Sequence, residues 1–284
     1  MHILNIENPL ASIEDLKQKF LSLHNRFLAV AMDYKFYIKS DIKDDEIYKL
    51  RNNVLFRLQS ARFHYKLLID YHLAIEKNLK HLHQNNLNTI QLHSYEINST
   101  EEIYSLFDSL VYHLCSNFDY LFRLVNFIHG KTDIKQPKWN LFRSDKNIKH
   151  NLYCSKELIE ELTIIDDNFV YPLIKHRSFL IHNEFAVGNL ILFNDLESTF
   201  LVSKSLKNHF PELTNEYANQ EITLIFAANW LINKTFQAIT QVLFAIKDDI
   251  IRNNNETQPL FFMIDSNNKM QSPSQHYWGR KEEI

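Results

Sequence analysis

Apolar positions recur at steps of three and four along most of the chain, the spacing of an amphipathic helix. The stretch "IEDLKQKFLSLHNRFLAVAMDYKFYI" keeps that period to about Ile38. Ser12 stands just ahead of it as a capping residue, with Asp15 nearby at the positive end of the helix dipole. The polar run "KSDIKDD" then breaks the pattern. A second helix is predicted from about Asp45 to His83, where Leu50, Val54, Leu58, Ala61, Tyr65, Leu68 and His72 form one stripe uninterrupted by Gly or Pro. At about 1.5 Å per residue it would reach roughly 55 Å, a length typical of an antiparallel bundle.

The helical period fades between Gln84 and Asn98, where "NTIQLHSYEI" reads as a short strand or an extended crossover. It returns in "STEEIYSLFDSLVYHLCSNFDYLFRLVNFIHG", with Ser99 and Glu102 matching a capping box and Gly130 placed as a left-handed stop. Leu106, Leu110, His113, Asn117, Tyr120 and Leu124 line one broad stripe of it. Residues 131–149 read as a loop carrying Pro137 and an isolated Trp139. Another helix starts at the Ser155 cap, and Pro172 predicts a kink or a fresh start within it. After Asn183 the period changes, and two short β-like runs around "NDLES" predict a hairpin over residues 188–203. A last long helix is predicted from about Glu216 to Arg252, followed by a polar tail that reads as ending disordered.

Only three glycines and six prolines punctuate the 284 residues, too few for a strand-and-turn architecture. With 45% apolar residues the chain can bury a core. The prediction is therefore an all-α fold, an antiparallel helical bundle with long helices and a small inserted β-hairpin. It would form one domain over residues 1–252, with N-terminal helices at 12–84, a core at 99–252 and a tail at 253–284. A long second helix with no partner of equal length nearby argues for a dimer.

Net charge is −3, which argues against a general nucleic-acid coat protein but leaves room for a local basic groove. Cys115 and Cys154, both beside apolar residues, read as small core residues of a reducing cytosol. The N-terminal "MHILNIENPL" lacks the pattern of a secretory signal, and no apolar run is long enough to span a bilayer, so the expectation is a cytoplasmic protein with no membrane partner.

Most familiar chemistries lack a signature. Gly130, Gly188 and Gly279 build no phosphate loop, and neither His-Glu-x-x-His nor Cys-x-x-Cys is present. No metal and no cofactor is expected. Arginine with histidine is what remains. Metal-free RNA cleavage needs a group that takes a proton from a 2′-hydroxyl and returns one to the leaving oxygen, which imidazole does near neutrality. It also needs a fixed cation for charge growing on phosphorane oxygens, which a guanidinium supplies. Spacing alone does not choose a pair, since Arg57/His64, Arg123/His129, Arg143/His150 and Arg177/His182 all fit, and about one such match is expected by chance. In the last pair, Ser178 and His182 lie one helical turn apart on one face. Arg177 is about 100° round from Ser178, with a stem long enough to bring its guanidinium toward His182.

The stretch "IKHRSFLIHNE" resembles the signature of the HEPN superfamily (higher eukaryotes and prokaryotes nucleotide-binding), whose members carry Arg, usually a polar residue, then His on a late helix. "LFDSLVYHLCSNFDYLFRLVNFIHG" looks like the helix that precedes this signature, and "KWNLF" fits the same pattern. The resemblance covers about Glu101 to Asn183, under a third of the chain, and implies that the core at 99–252 is HEPN-like. It implies an all-α homodimer whose two signatures face each other across a cleft, and a metal-independent endoribonuclease of a toxin–antitoxin or phage-defence system. Carried over by position, Arg177 and His182 become the active pair, with Ser178 where the family most often has Asn. The RNA substrate is joined as a partner by an antitoxin or a nucleotidyltransferase. The alternative is a non-catalytic helical module that binds a partner protein or a nucleotide. The same pair also reads as two cations neutralising helix-end carbonyls. His176, Asn183 and Glu184 stand close in sequence without an assigned role. Asp119, within "NFDYLF", reads as a buried carboxylate held by an Arg or Tyr of a neighbouring helix, or as one that orients Arg177.

Overall fold

Asn8, rather than Ser12, starts the first helix. Its side chain accepts the Ala11 N–H at 3.0 Å, and Pro9 follows where an N–H would have no helical partner, so α1 runs over Pro9–Tyr37. Ser12 lies one turn inside, its hydroxyl donating to the Pro9 carbonyl at 2.6 Å. The computed structural model describes residues 2–38, 46–84, 89–129, 138–139, 155–182, 190–192, 198–202, 204–217, 220–254 and 262–279. Gly130, Cys154, Asn183, Glu184, the Arg143/His150 pair, the "KSDIKDD" break and most of the 131–149 loop lie outside these residues.

The fold is all-α with a small β-hairpin, as the periodicity predicts. α2 covers Glu46–Gln84 and α3 covers Thr89–Ile128, 39 and 40 residues long. α3 thus starts ten residues before the expected capping box, and the strand or crossover over 84–98 is corrected to helix from Thr89. Ser99 sits buried inside α3 and caps nothing, while Thr100 donates to the Glu96 carbonyl at 2.7 Å. The reason is burial: Ile90, Gln91, His93 and Ser94 face solvent, so this end of the helix carries no apolar stripe to read. The second helix also has a companion of equal length in its own chain, which removes the helix-length argument for a dimer.

Ser155 caps α4 (Lys156–Ile165) as expected, its hydroxyl accepting the Leu158 N–H at 3.1 Å. A π-helical turn follows over Asp166–Val170, with the Tyr171 N–H reaching back to the Asp166 carbonyl, and α5 spans Tyr171–His182. Pro172 offers no N–H and crowds the carbonyl four residues back, so the widened turn is the form its break takes. The hairpin is present: β2 (Leu190–Leu192) pairs antiparallel with β3 (Ser198–Phe200), Leu190 opposite Phe200. Two short helices come next, α6 (Lys204–His209) and α7 (Pro211–Glu216). β4 (Gln220–Ile222) follows, pairing in parallel with an N-terminal strand, β1 (His2–Leu4). The last long helix, α8, therefore begins at Leu224 rather than near Glu216, and runs to Asn253. Within the tail, β5 (Met263–Ile264) pairs with β6 (Met270–Gln271) ahead of α9 (Gln275–Trp278), and its last residues, 280–284, lie outside the described residues. No helix among the described residues is long and apolar enough to cross a membrane.

Contacts divide the chain into two compact units, and both boundaries and sequence order interleave. One gathers Met1–Leu16, Gln59–Cys115 and Pro172–Ile232, the other Lys17–Leu58, Ser116–Tyr171 and Asn233–Ile284. In the first, Tyr65 shares a hydrogen bond with Ser12 at 2.7 Å and receives one from the Asn229 amide at 3.3 Å. Phe200 of the hairpin packs on His72 and Tyr104, and the Tyr104 hydroxyl donates to the Leu201 carbonyl. In the second, the loop tryptophan proves to be core: Trp139 is fully buried against Phe118 and Phe122, and its indole donates to Asp166 at 2.9 Å. The C-terminal segment seals the same unit. Ser272, Ser274 and the Trp278 indole all donate to the buried carboxylate of Asp33, while the Trp278 carbonyl accepts from Arg26 at 3.1 Å.

Candidate functional site

The faces of α5 are sorted by one inward pair. Leu173 and His176, three apart, are buried, and the Leu173 carbonyl accepts a weak bond from Cys115 Sγ at 3.6 Å. The His176 ring packs against Phe107, His209 and Phe210 at 5.7 to 6.5 Å between centroids. Burial, and secondarily the neighbouring His209, lower its pKa to about 3, so His176 is a neutral core residue. That inward anchor fixes what the next residues do.

Arg177 lies about 100° round from His176 and flanks the core. Its guanidinium sits 4.8 Å from the ring centre of Tyr112 on α3, a cation–π contact, and its Nε is buried. Among the described residues it has no ion pair, and its Nε has no hydrogen-bond partner. Ser178 and His182 are exposed, and His182 is the last residue of α5. Five residues apart on one helix, Arg177 and His182 differ by about 140° and about 7.5 Å along the axis. No hydrogen bond joins them among the described residues; Arg177 leans toward α3 while Ser178 and His182 share an outer face.

The competing Arg/His spacings resolve into other contacts. Arg57 stacks on Tyr120 at 5.5 Å, and His64 Nδ1 donates to the Ser60 carbonyl at 2.8 Å. Arg123 also stacks on Tyr120, at 4.7 Å. His129 lies 3.4 Å from the buried Asp249, whose other oxygen accepts from Ser155. Asp119 accepts the backbone N–H of Trp139 at 3.0 Å, so a main-chain donor fills the role expected of an Arg or Tyr side chain.

Sequence reasoning overlooked Tyr112, since its meeting with Arg177 depends on how α3 and α5 are registered, which no local period encodes. Its neighbour His113, one of the stripe residues of α3, contacts both Tyr112 and His64. Among the described residues no group of three or more His, Cys, Asp or Glu side chains is arranged to hold a metal. Comparisons with protein-family models, with curated proteins and with solved structures give no match.

Proposed function

We propose that the protein is a HEPN-like endoribonuclease of a bacterial toxin–antitoxin or phage-defence system, with Arg177 and His182 as its active pair. The observation that carries this reading is the Arg177 guanidinium, partly removed from water, seated on an aromatic ring and matched by no carboxylate among the described residues. A half-buried guanidinium with no carboxylate beside it among the described residues suits an anionic ligand, and a phosphate oxygen is one. His182, exposed at the helix end, acts as general base toward the 2′-hydroxyl and as general acid toward the leaving oxygen. The 2′-oxygen attacks phosphorus, the P–O5′ bond breaks, and the products are a 2′,3′-cyclic phosphate and a 5′-hydroxyl. Arg177 holds the phosphorane charge, and Ser178, one turn from His182 on the same face, orients the imidazole.

The test is purified protein on RNA in EDTA, with His182→Ala and Arg177→Ala alongside. Each substitution should lower the cleavage rate by about 10²–10⁴-fold. Undiminished cleavage in both variants, or none by the unsubstituted protein, overturns the assignment.

The second reading, a non-catalytic module, draws on a cleft of about 770 Å³ between α2 and α3. Leu67, Tyr71 and Leu106 form its apolar walls, and Asp70, Glu101 and Glu102 add carboxylates. Such a cleft suits a basic protein partner, and its occupation without RNA cleavage would favour this reading.

A further inference from the structure

A row of four aromatic rings leads across α2 and α3 to the Arg177 guanidinium on α5. Phe63 stands edge-on to His64 at 5.8 Å between centroids, His64 lies against His113 of α3 at 4.9 Å, and His113 meets Tyr112 at 5.4 Å. Tyr112 in turn carries the guanidinium at 4.8 Å. All five residues belong to one compact unit. Both ends of the row face water, Phe63 at 55% exposure and Tyr112 at 42%.

We infer that this row is a stacking platform for the unpaired bases of single-stranded RNA, with Arg177 taking the adjoining phosphate. The inference rests on the nuclease reading above and names the form of its substrate. Every base has a π-face, so aromatic side chains bind single strands with little sequence preference, and a guanidinium serves both the ring and the backbone. A duplex keeps its base faces stacked inside and offers none to such a row. His64 fits the role: its Nδ1–H is held by the Ser60 carbonyl, which fixes the orientation of the ring. The carboxylates of the neighbouring cleft, Asp70, Glu101 and Glu102, repel a polyanion and keep the strand to the aromatic row.

The experiment uses the full chain carrying His182→Ala, so that RNA survives the measurement. Fluorescence anisotropy reads the Kd for labelled oligouridine and oligoadenosine of about eight nucleotides, and for a blunt RNA duplex. Phe63→Ala and Tyr112→Leu are compared with this parent, and circular dichroism checks that each is folded. Each should weaken single-strand binding about tenfold, with the duplex bound more weakly throughout. Single-strand affinity unchanged in both folded variants overturns the platform, as does equal affinity for the duplex. The same holds if the variants alter self-association while RNA affinity stays constant, since the row is then a protein interface. The two readings fail separately. Single-strand binding that depends on Phe63 in a protein without cleavage keeps the platform and removes the nuclease.

Discussion

His176 and Arg177 are neighbours in sequence and opposites in environment. The first is buried among aromatic rings with its pKa driven down to about 3; the second lies at the edge of the core on Tyr112. A folded-state pKa below the unfolded value of 6.5 means that the unfolded chain takes up a proton that the native imidazole refuses. This contribution is absent above about pH 6.5, and stability is lost as the pH falls from there toward 3. By pH 5 the loss from this one residue is about 2 kcal/mol. His176→Phe, which keeps a ring in the same aromatic surroundings, should lose less stability between pH 7 and pH 5 than the parent by that amount. Urea unfolding at the two pH values measures it. An identical loss in both proteins would show that His176 is protonated in the native state.

At the scale of the element, the C-terminal segment is the least expected part of the fold. Polarity marks residues 253–284 as a tail, but three donors in it, Ser272, Ser274 and Trp278, converge on Asp33 of α1. Burial raises the pKa of that carboxylate, and those hydrogen bonds oppose the shift. Trp278 also packs on Phe244 at 5.0 Å. Trp278→Ala removes the ring and one of the donors, and should cost about 3–5 kcal/mol, read as a lower urea midpoint. A change within experimental error would mean that the segment only rests on its unit. The long helices were legible because burial follows their period: Val54, Leu58, Ala61, Tyr65 and Leu68 are all buried, as their stripe predicts. The first turns of α3 were not, because an exposed helix has no apolar face. Nor was the pairing of β1 with β4, since it joins residues from opposite ends of the chain and leaves no local trace. For the candidate site the sequence supplies positions and not their contacts. Flanking residues singled out Arg177 and His182, whereas Tyr112 became visible only through the packing of α3 and α5.

The whole molecule raises the question of copy number. Within one chain Arg177 and His182 point to different sides of α5, about 140° apart, so one helix does not bring them to a common phosphate. A second copy whose α5 faces the first would supply the complement, Arg177 from one subunit against His182 from the other. This symmetric arrangement makes a prediction that a monomeric site cannot meet. Arg177→Ala and His182→Ala, each inactive alone, are mixed after brief denaturation and refolding, so that mixed dimers form. Each mixed dimer then retains one intact composite site from its two damaged subunits. Cleavage should recover to about a quarter of the unsubstituted rate, given random pairing of half the subunits into mixed dimers, each with one of two sites. Light scattering should report twice the 33.9 kDa chain mass. A mixture of confirmed dimers that stays inactive would place both groups in the same subunit. A monomer with full activity would remove the facing copy altogether, and would require α5 to move so that its own Arg177 and His182 meet at the phosphate.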